Sequence, residues 1–196
     1  MEIEFGNKML TLDNAALLLI DIQQGFDVPN YWGKERSNPC AEANAAKLLQ
    51  LWRRHHLPIF HIQHCSSNPR SCLYPTHPGH AFKPEVMPIK GERIIQKTVN
   101  SAFIGTPLKT LLDEKQIKQL VIVGLTTDHC VSTTTRMAGN YGYDVFLVAD
   151  ATATFNRMGV DGQEFPAQLM HETALASLHG EFATVVNTAN IVDCFV

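Results

Sequence analysis

Six short apolar runs punctuate the chain, at 16–22, 59–63, 93–97, 120–124, 145–149 and 182–186. Most are continuous rather than alternating, the pattern of strands covered on both faces. Stretches with helical spacing lie between them. After Asn38-Pro39, a cap followed by a first-turn proline, Ala41, Ala45, Leu48, Leu49 and Trp52 form one apolar stripe. Thr106-Pro107 repeats that start ahead of Leu108, Leu111 and Leu112. Further helices are expected at 131–140, ending near Gly139 and Gly142, and at 166–178, stopping at Gly180. Such strand–helix alternation predicts an α/β fold, a parallel sheet with helices on both faces. Residues 1–196 read as a single domain, because no repeat, low-complexity tract or linker divides them. Two segments stay irregular, 27–38 and the Pro/His-rich 65–91. The second is longer than an ordinary connection, which marks a functional loop or an oligomer contact.

Composition narrows the class. Apolar residues make up 45% and charged residues 18%, ordinary for a compact protein and against disorder. The net charge of −3, with no block of like charges, argues against nucleic acid or an anionic membrane as partner. The longest apolar run, 15–20, falls far short of the roughly 18 residues a membrane span needs. Met1-Glu2-Ile3-Glu4 is acidic and leads into no apolar core, so no secretory signal is expected. Cys40, Cys65, Cys72, Cys130 and Cys194 are odd in number, scattered and free of any C-x-x-C pair. That pattern suits reduced thiols in a cytoplasmic protein.

Candidate chemistry gathers where strands end. In an open parallel sheet, ligands bind beyond the carboxyl ends of the strands. Asp21 closes the first apolar run, Lys97 the third, and Cys130 follows the fourth in Gly124-Leu125-Thr126-Thr127-Asp128-His129-Cys130. A cysteine between a buried strand and a helix N-terminus sits where backbone N–H groups favour a thiolate and can hold an oxyanion. A carboxylate ending an apolar run must reach solvent, a cation or hydrogen bonds. Singly, these residues read as a loop cap, a solvated strand end and core filler. Together they supply a base, an electrostatic clamp and a nucleophile.

Three stretches carry a resemblance: D-x-Q-x-x-F at 21–26, K-x-x-x-S-A-F at 97–103 and G-L-T-T-D-H-C-V at 124–131. Gly142-Tyr143-Asp144-Val145 and Asp150-Ala151-Thr152-Ala153 add to it. The set resembles the isochorismatase-like cysteine hydrolases, among them nicotinamidases and carbamoylsarcosine and ureide amidohydrolases. The resemblance spans roughly residues 12–190. It implies a three-layer α/β/α, Rossmann-like fold with a six-stranded, mainly parallel sheet in the order 3-2-1-4-5-6. It also implies a triad of Asp21 as general base, Lys97 as clamp and Cys130 as nucleophile. A cis peptide between Leu125 and Thr126 would turn the Thr126 N–H towards the site, where it and the Cys130 N–H would form an oxyanion hole. Isochorismatase itself lacks this cysteine, so Cys130 points to hydrolysis of a small amide, ureide or related C–N bond through a thioester. An ester or nitrile hydrolase, or a binding module of the same fold with weak chemistry, is the alternative.

Nicotinamidases of this group hold a metal through an Asp-x-His pair after the second strand. This chain reads His61-Ile62-Gln63-His64 there, without that aspartate. Three residues apart on a strand, His61 and His64 face opposite ways and cannot share an ion. His77 and His80 offer a further loop pair. No metal and no cofactor are expected. Phe26, Trp32, His64, Asn100 and Phe103 are candidate contacts for a small-molecule substrate, with core packing as the alternative for the aromatic rings, and His129 is given no role. A dimer or tetramer is implied by the resemblance, and 191–196 could form an interface strand or edge packing. The required reach is long: Lys97 on the third strand starts two strands from Asp21, about 10 Å at ~4.8 Å per strand.

Overall fold

The computed structural model describes residues 2–6, 8–12 and 15–193. In chain order the elements are β1 (Glu2–Phe5), β2 (Lys8–Thr11), β3 (Ala15–Ile20), α1 (Ala41–Arg54), β4 (Ile59–His64), β5 (Arg93–Lys97), α2 (Leu108–Glu114) and β6 (Gln119–Leu125). After these come α3 (Ser132–Asn140), β7 (Asp144–Ala153), β8 (Arg157–Met158), β9 (Glu164–Phe165), α4 (Ala167–Leu178), β10 (Thr184–Val186) and α5 (Thr188–Val192).

The central sheet has the order β10-β7-β6-β3-β4-β5, all neighbours parallel. Counting only its six strands, this is the expected 3-2-1-4-5-6. The continuous apolar runs are explained by burial on both faces. Leu17 and Leu19 of β3 pack with Val121 and Val123 of β6 against α1 and Ile191 of α5. Their neighbours Leu18 and Ile20 pack with Leu120 and Ile122 against Leu108 and Leu112 of α2, Ala138 of α3 and Leu178 of α4. Every residue of β3 and β6 is buried. Strand order reverses between β3 and β6, so their carboxyl ends flank the crevice where such sheets bind ligands.

Several boundaries differ from the expectation for local reasons. The first core strand stops at Ile20, because Asp21 adopts φ 49° and turns the chain out of the sheet. The last begins at Thr184 rather than 182, since the Phe182 and Ala183 N–H groups are taken by the Leu178 carbonyl ending α4. The helix expected at 131–140 is preceded by a wide turn over Thr127–Val131. β7 runs on to Ala153 through an irregularity opposite Ile122 and Gly124. Ile191 and Val192 belong to a helix, not to a strand, while 194–196 lie outside the described residues.

Two antiparallel hairpins, β1–β2 and β8–β9, went unpredicted. Their strands of two to four residues are too short for a period to show. The first is docked by Gln119, whose side chain accepts from the Thr11 N–H at 2.6 Å and donates to the Met9 carbonyl at 2.6 Å. Among the described residues no helix is long and apolar enough to cross a membrane.

The long loop 65–91 is irregular but packed. Gly79 rests on Gly25, and a Cβ at Gly79 would stand 2.6 Å from both Cys72 O and Gly25 Cα. Lys83 is buried and bonds Glu42 at 2.7 Å, while Arg36 grips the same carboxylate with both contacts at 2.7 Å. Both irregular segments are thereby tied to α1.

Candidate functional site

Asp21, Lys97 and Cys130 converge, with relative exposures of 0%, 2% and 9%. The Lys97 ammonium lies 2.6 Å from Asp21 Oδ2, 3.4 Å from Cys130 Sγ and 3.1 Å from His64 Nδ1. Its side chain therefore spans the two-strand gap, passing the end of β4. His64 and Lys97 are register partners on adjacent parallel strands, so their side chains share a face. An ammonium only donates, hence Nδ1 of His64 accepts and the imidazole proton sits on Nε2. Among the described residues, Asp21 Oδ1 is buried without a hydrogen-bond partner.

The loop carrying Cys130 is shaped by its glycine. Gly124 has φ 128°, and a Cβ there would meet Ile20 O at 2.1 Å, so only glycine lets β6 pass this close to the end of β3. The next peptide, Leu125–Thr126, is cis. The Thr126 carbonyl accepts from the N–H groups of His129 (3.1 Å) and Val131 (3.2 Å), passing over that of Cys130 between them.

Other residues holding this loop were not found from the sequence. Buried His171 on α4 contacts Thr127 Oγ1 through Nδ1 at 2.9 Å and Asn38 Nδ2 through Nε2 at 3.1 Å. Asn38 also donates to the carbonyls of Ala149 and Thr152. Asp128 accepts from Arg157 Nε at 2.9 Å and from the Thr154 hydroxyl, and Arg157 donates onward to the Trp32 carbonyl at 3.0 Å. These partners lie 26 to 133 residues apart, so no local spacing could pair them. Gln23 was at least visible as the glutamine of D-x-Q. Buried, it accepts from the His64 N–H at 2.8 Å and donates to the carbonyls of His64 at 3.2 Å and His80 at 2.8 Å.

The remaining candidates fall in different places. Phe26 stacks on Trp32 with centroids 4.6 Å apart, and both join Leu73, Phe155 and Leu125 in a small apolar cluster beside the cis peptide. Phe103 is a buried ring facing Tyr141 and Tyr143 in the core under α3. Asn100 is exposed, with no hydrogen bond among the described residues. His129 sits near Arg157, 3.4 Å from Nδ1 to the guanidinium.

The histidines do not fit a nicotinamidase-like metal centre. His61 is buried on the other face, bonded to Glu92 at 2.8 Å. His77 Nδ1 accepts from the Gly79 N–H, and His80 Nε2 faces Cys65 Sγ at 3.2 Å. Asp21, His64 and Cys130 do present ligand atoms within 4.8 Å of one another. The place they surround is held by the Lys97 ammonium, which supplies the cation itself.

Electrostatics alter the expectation of a resting thiolate. Burial, reinforced by the Asp21 carboxylate, pushes the Cys130 thiol well above its ordinary range against the opposing pull of Lys97. Burial by itself would depress Lys97, but the Asp21 carboxylate and the Cys130 sulfur outweigh it and hold the ammonium charged. Burial, with the Lys97 charge beside it, lowers His64, which keeps its imidazole neutral. The arrangement thus favours the protonated thiol beside the Asp21 carboxyl, and a thiol of this kind becomes a nucleophile when a neighbouring base takes its proton.

A doubly covered parallel sheet with this loop at its switch point defines an α/β/α hydrolase architecture. The chain belongs to the isochorismatase-like hydrolase superfamily, with the isochorismatase domain matching residues 15–190. It is similar to the uncharacterized isochorismatase family protein YrdC of Bacillus subtilis, at 45% identity over 94% of this chain and 97% of that one. A crystal structure of a putative hydrolase of the isochorismatase family from Chromobacterium violaceum matches with a TM-score of 0.90 at 43% identity, covering 100% of this chain and 97% of the other. More distant relatives include nicotinamidase 3 of Arabidopsis thaliana, 27% identical over 88% of this chain and 84% of that one, and a streptothricin hydrolase of Streptomyces noursei, 29% identical over 90% and 69%.

Proposed function

We propose that the protein is a cysteine-dependent hydrolase of a small amide, ureide or related C–N bond. The observation that carries this reading is the contact of one buried ammonium with both Asp21 and Cys130, at 2.6 and 3.4 Å. The kinship with a nicotinamidase and a streptothricin hydrolase supports it.

Asp21 takes the thiol proton as Cys130 Sγ attacks the carbonyl carbon, and Lys97 holds the carboxylate and sulfur in place. The oxyanion is received by the N–H groups of Thr126 and Cys130. Asp21 then passes its proton to the leaving nitrogen, the C–N bond breaks, and a thioester remains. Water enters, gives a proton to Asp21 and adds to the acyl carbon. The C–S bond breaks, and the thiolate recovers the proton from Asp21.

Ammonia or amine release from a panel of small amides and ureides tests this, with wild type compared against Cys130→Ala. Release that disappears in the variant supports the reading. Release from no compound, while an ester or nitrile is turned over through Cys130, would replace the C–N bond with that electrophile.

A further inference from the structure

We infer that His64 is a positioning residue for the active cluster: its Nδ1 is the third acceptor that aims the Lys97 ammonium at Asp21 and Cys130. The inference rests on the proposed role of Cys130 as nucleophile.

The count of hydrogens is the starting point. An ammonium has three N–H bonds and no acceptor. Among the described residues the Lys97 ammonium has three hydrogen-bond neighbours, Asp21 Oδ2 at 2.6 Å, His64 Nδ1 at 3.1 Å and Cys130 Sγ at 3.4 Å, and Lys97 is only 2% exposed, so water has little room to stand in for any of them. Removing one acceptor leaves a buried N–H unsatisfied, a cost that drives rearrangement. The sulfur contact is the longest of the three and is the one a reorienting ammonium gives up first.

His64 is itself held at both ends of its residue. Its backbone N–H and carbonyl are clamped by Gln23, two residues beyond Asp21, at 2.8 and 3.2 Å. Its register with Lys97 puts the two side chains on one face, and the Cys65 N–H donates to the Lys97 carbonyl at 2.7 Å, locking the strand ends together. Gln23 thus fixes the imidazole relative to Asp21, and the imidazole fixes the ammonium. The groups around the ring are Lys97 and Asp21, with Cys130 across the ammonium and His80 nearby.

The test reads Cys130 without needing a substrate. Iodoacetamide alkylation is followed at the Cys130 peptide by mass spectrometry in wild type, His64→Leu and His64→Asn, with urea unfolding as a check on folding. Asparagine places an amide oxygen close to where Nδ1 stands. The alkylation rate is expected to fall about tenfold in His64→Leu, because a displaced ammonium no longer favours the thiolate, and to stay within about threefold of wild type in His64→Asn. Adding His64→Leu to Lys97→Met should change nothing further, since His64 acts through Lys97. Wild-type alkylation in His64→Leu would overturn the inference. So would an equal loss in His64→Asn, or a full additional loss in the Lys97→Met background. None of these outcomes depends on whether an amide is ever turned over, so failure of the hydrolase reading stays distinguishable.

Discussion

At the scale of single residues, the site depends on three charged or ionisable groups sharing one dry space. The Cys130 thiol is held above its ordinary range by burial and by Asp21, so few molecules carry a thiolate at neutral pH. In the proposed mechanism Asp21 therefore has to move the proton during attack and deliver it to the leaving nitrogen. Asp21→Asn is expected to lower turnover of a confirmed substrate by about 10²–10⁴-fold, the usual range for a lost general base. The same change strips a buried ammonium of its counter-charge and should cost about 3–5 kcal/mol in urea unfolding. Steady-state rates on folded variant, beside the unfolding curves, separate the two effects; undiminished turnover would remove Asp21 from the proton path. The identities of Asp21, Lys97 and Cys130 were legible because each stands at the end of an apolar run, where a polar side chain needs a reason. Asn38, His171 and Arg157 were not, because each gains meaning from a partner that only folding brings near.

Elements are joined by buried polar staples, and one of them predicts acid sensitivity. Glu92, just ahead of β5, bonds Arg53 of α1 at 2.7 and 2.9 Å and His61 of β4 at 2.8 Å. Burial opposes its charge, but the Arg53, Ile89 N–H and His61 hydrogen bonds prevail and bring its pKa down to about 2. A carboxyl with a depressed folded-state pKa contributes stability above its unfolded value near 4.3, and that contribution is lost as pH falls towards 2. Burial also lowers His61, though Glu92 pulls the other way. The unfolded chain then binds that imidazole proton more readily than the native one, and stability falls as pH drops below about 6.5. Both effects have the same sign. Glu92→Gln should destabilise by about 1–3 kcal/mol at pH 7, and the part owed to the carboxylate should shrink as pH falls from about 4.3 towards 2, as read from urea midpoints across pH. A pH-independent difference would sink this account. The sequence pattern located all six core strands to within a few residues. It misplaced ends where a tertiary contact decides the boundary, as at Asp21 and at Phe182.

For the whole molecule, topology assembles the site and loops close it. β3 and β6 lie side by side at the switch point, while Lys97 reaches past β4 from the edge strand β5. The 27–38 and 65–91 segments are stapled to α1 through Arg36, Lys83 and Glu42, and to each other through the ion pair of Lys83 with Asp27. Access to sulfur is correspondingly narrow. Relative to exposed Cys40, the 9%-exposed Cys130 is expected to be disfavoured at least about tenfold more strongly with a bulky aromatic disulfide than with iodoacetamide. Peptide-resolved rates would check this, and the same Cys130-to-Cys40 rate ratio for both reagents would mean an open site. By itself the sequence determined the α/β class and the sheet buried on both faces, and it singled out Asp21, Lys97 and Cys130 as polar residues at strand ends. Apolar periodicity and the cost of burying charge are local properties that a linear pattern records. Tertiary structure alone decided that the Lys97 ammonium meets Asp21, His64 and Cys130 together, that His64 serves as an acceptor, and that burial and Asp21 push the thiol above its ordinary range. Distances and desolvation exist only once strands far apart in the chain lie side by side.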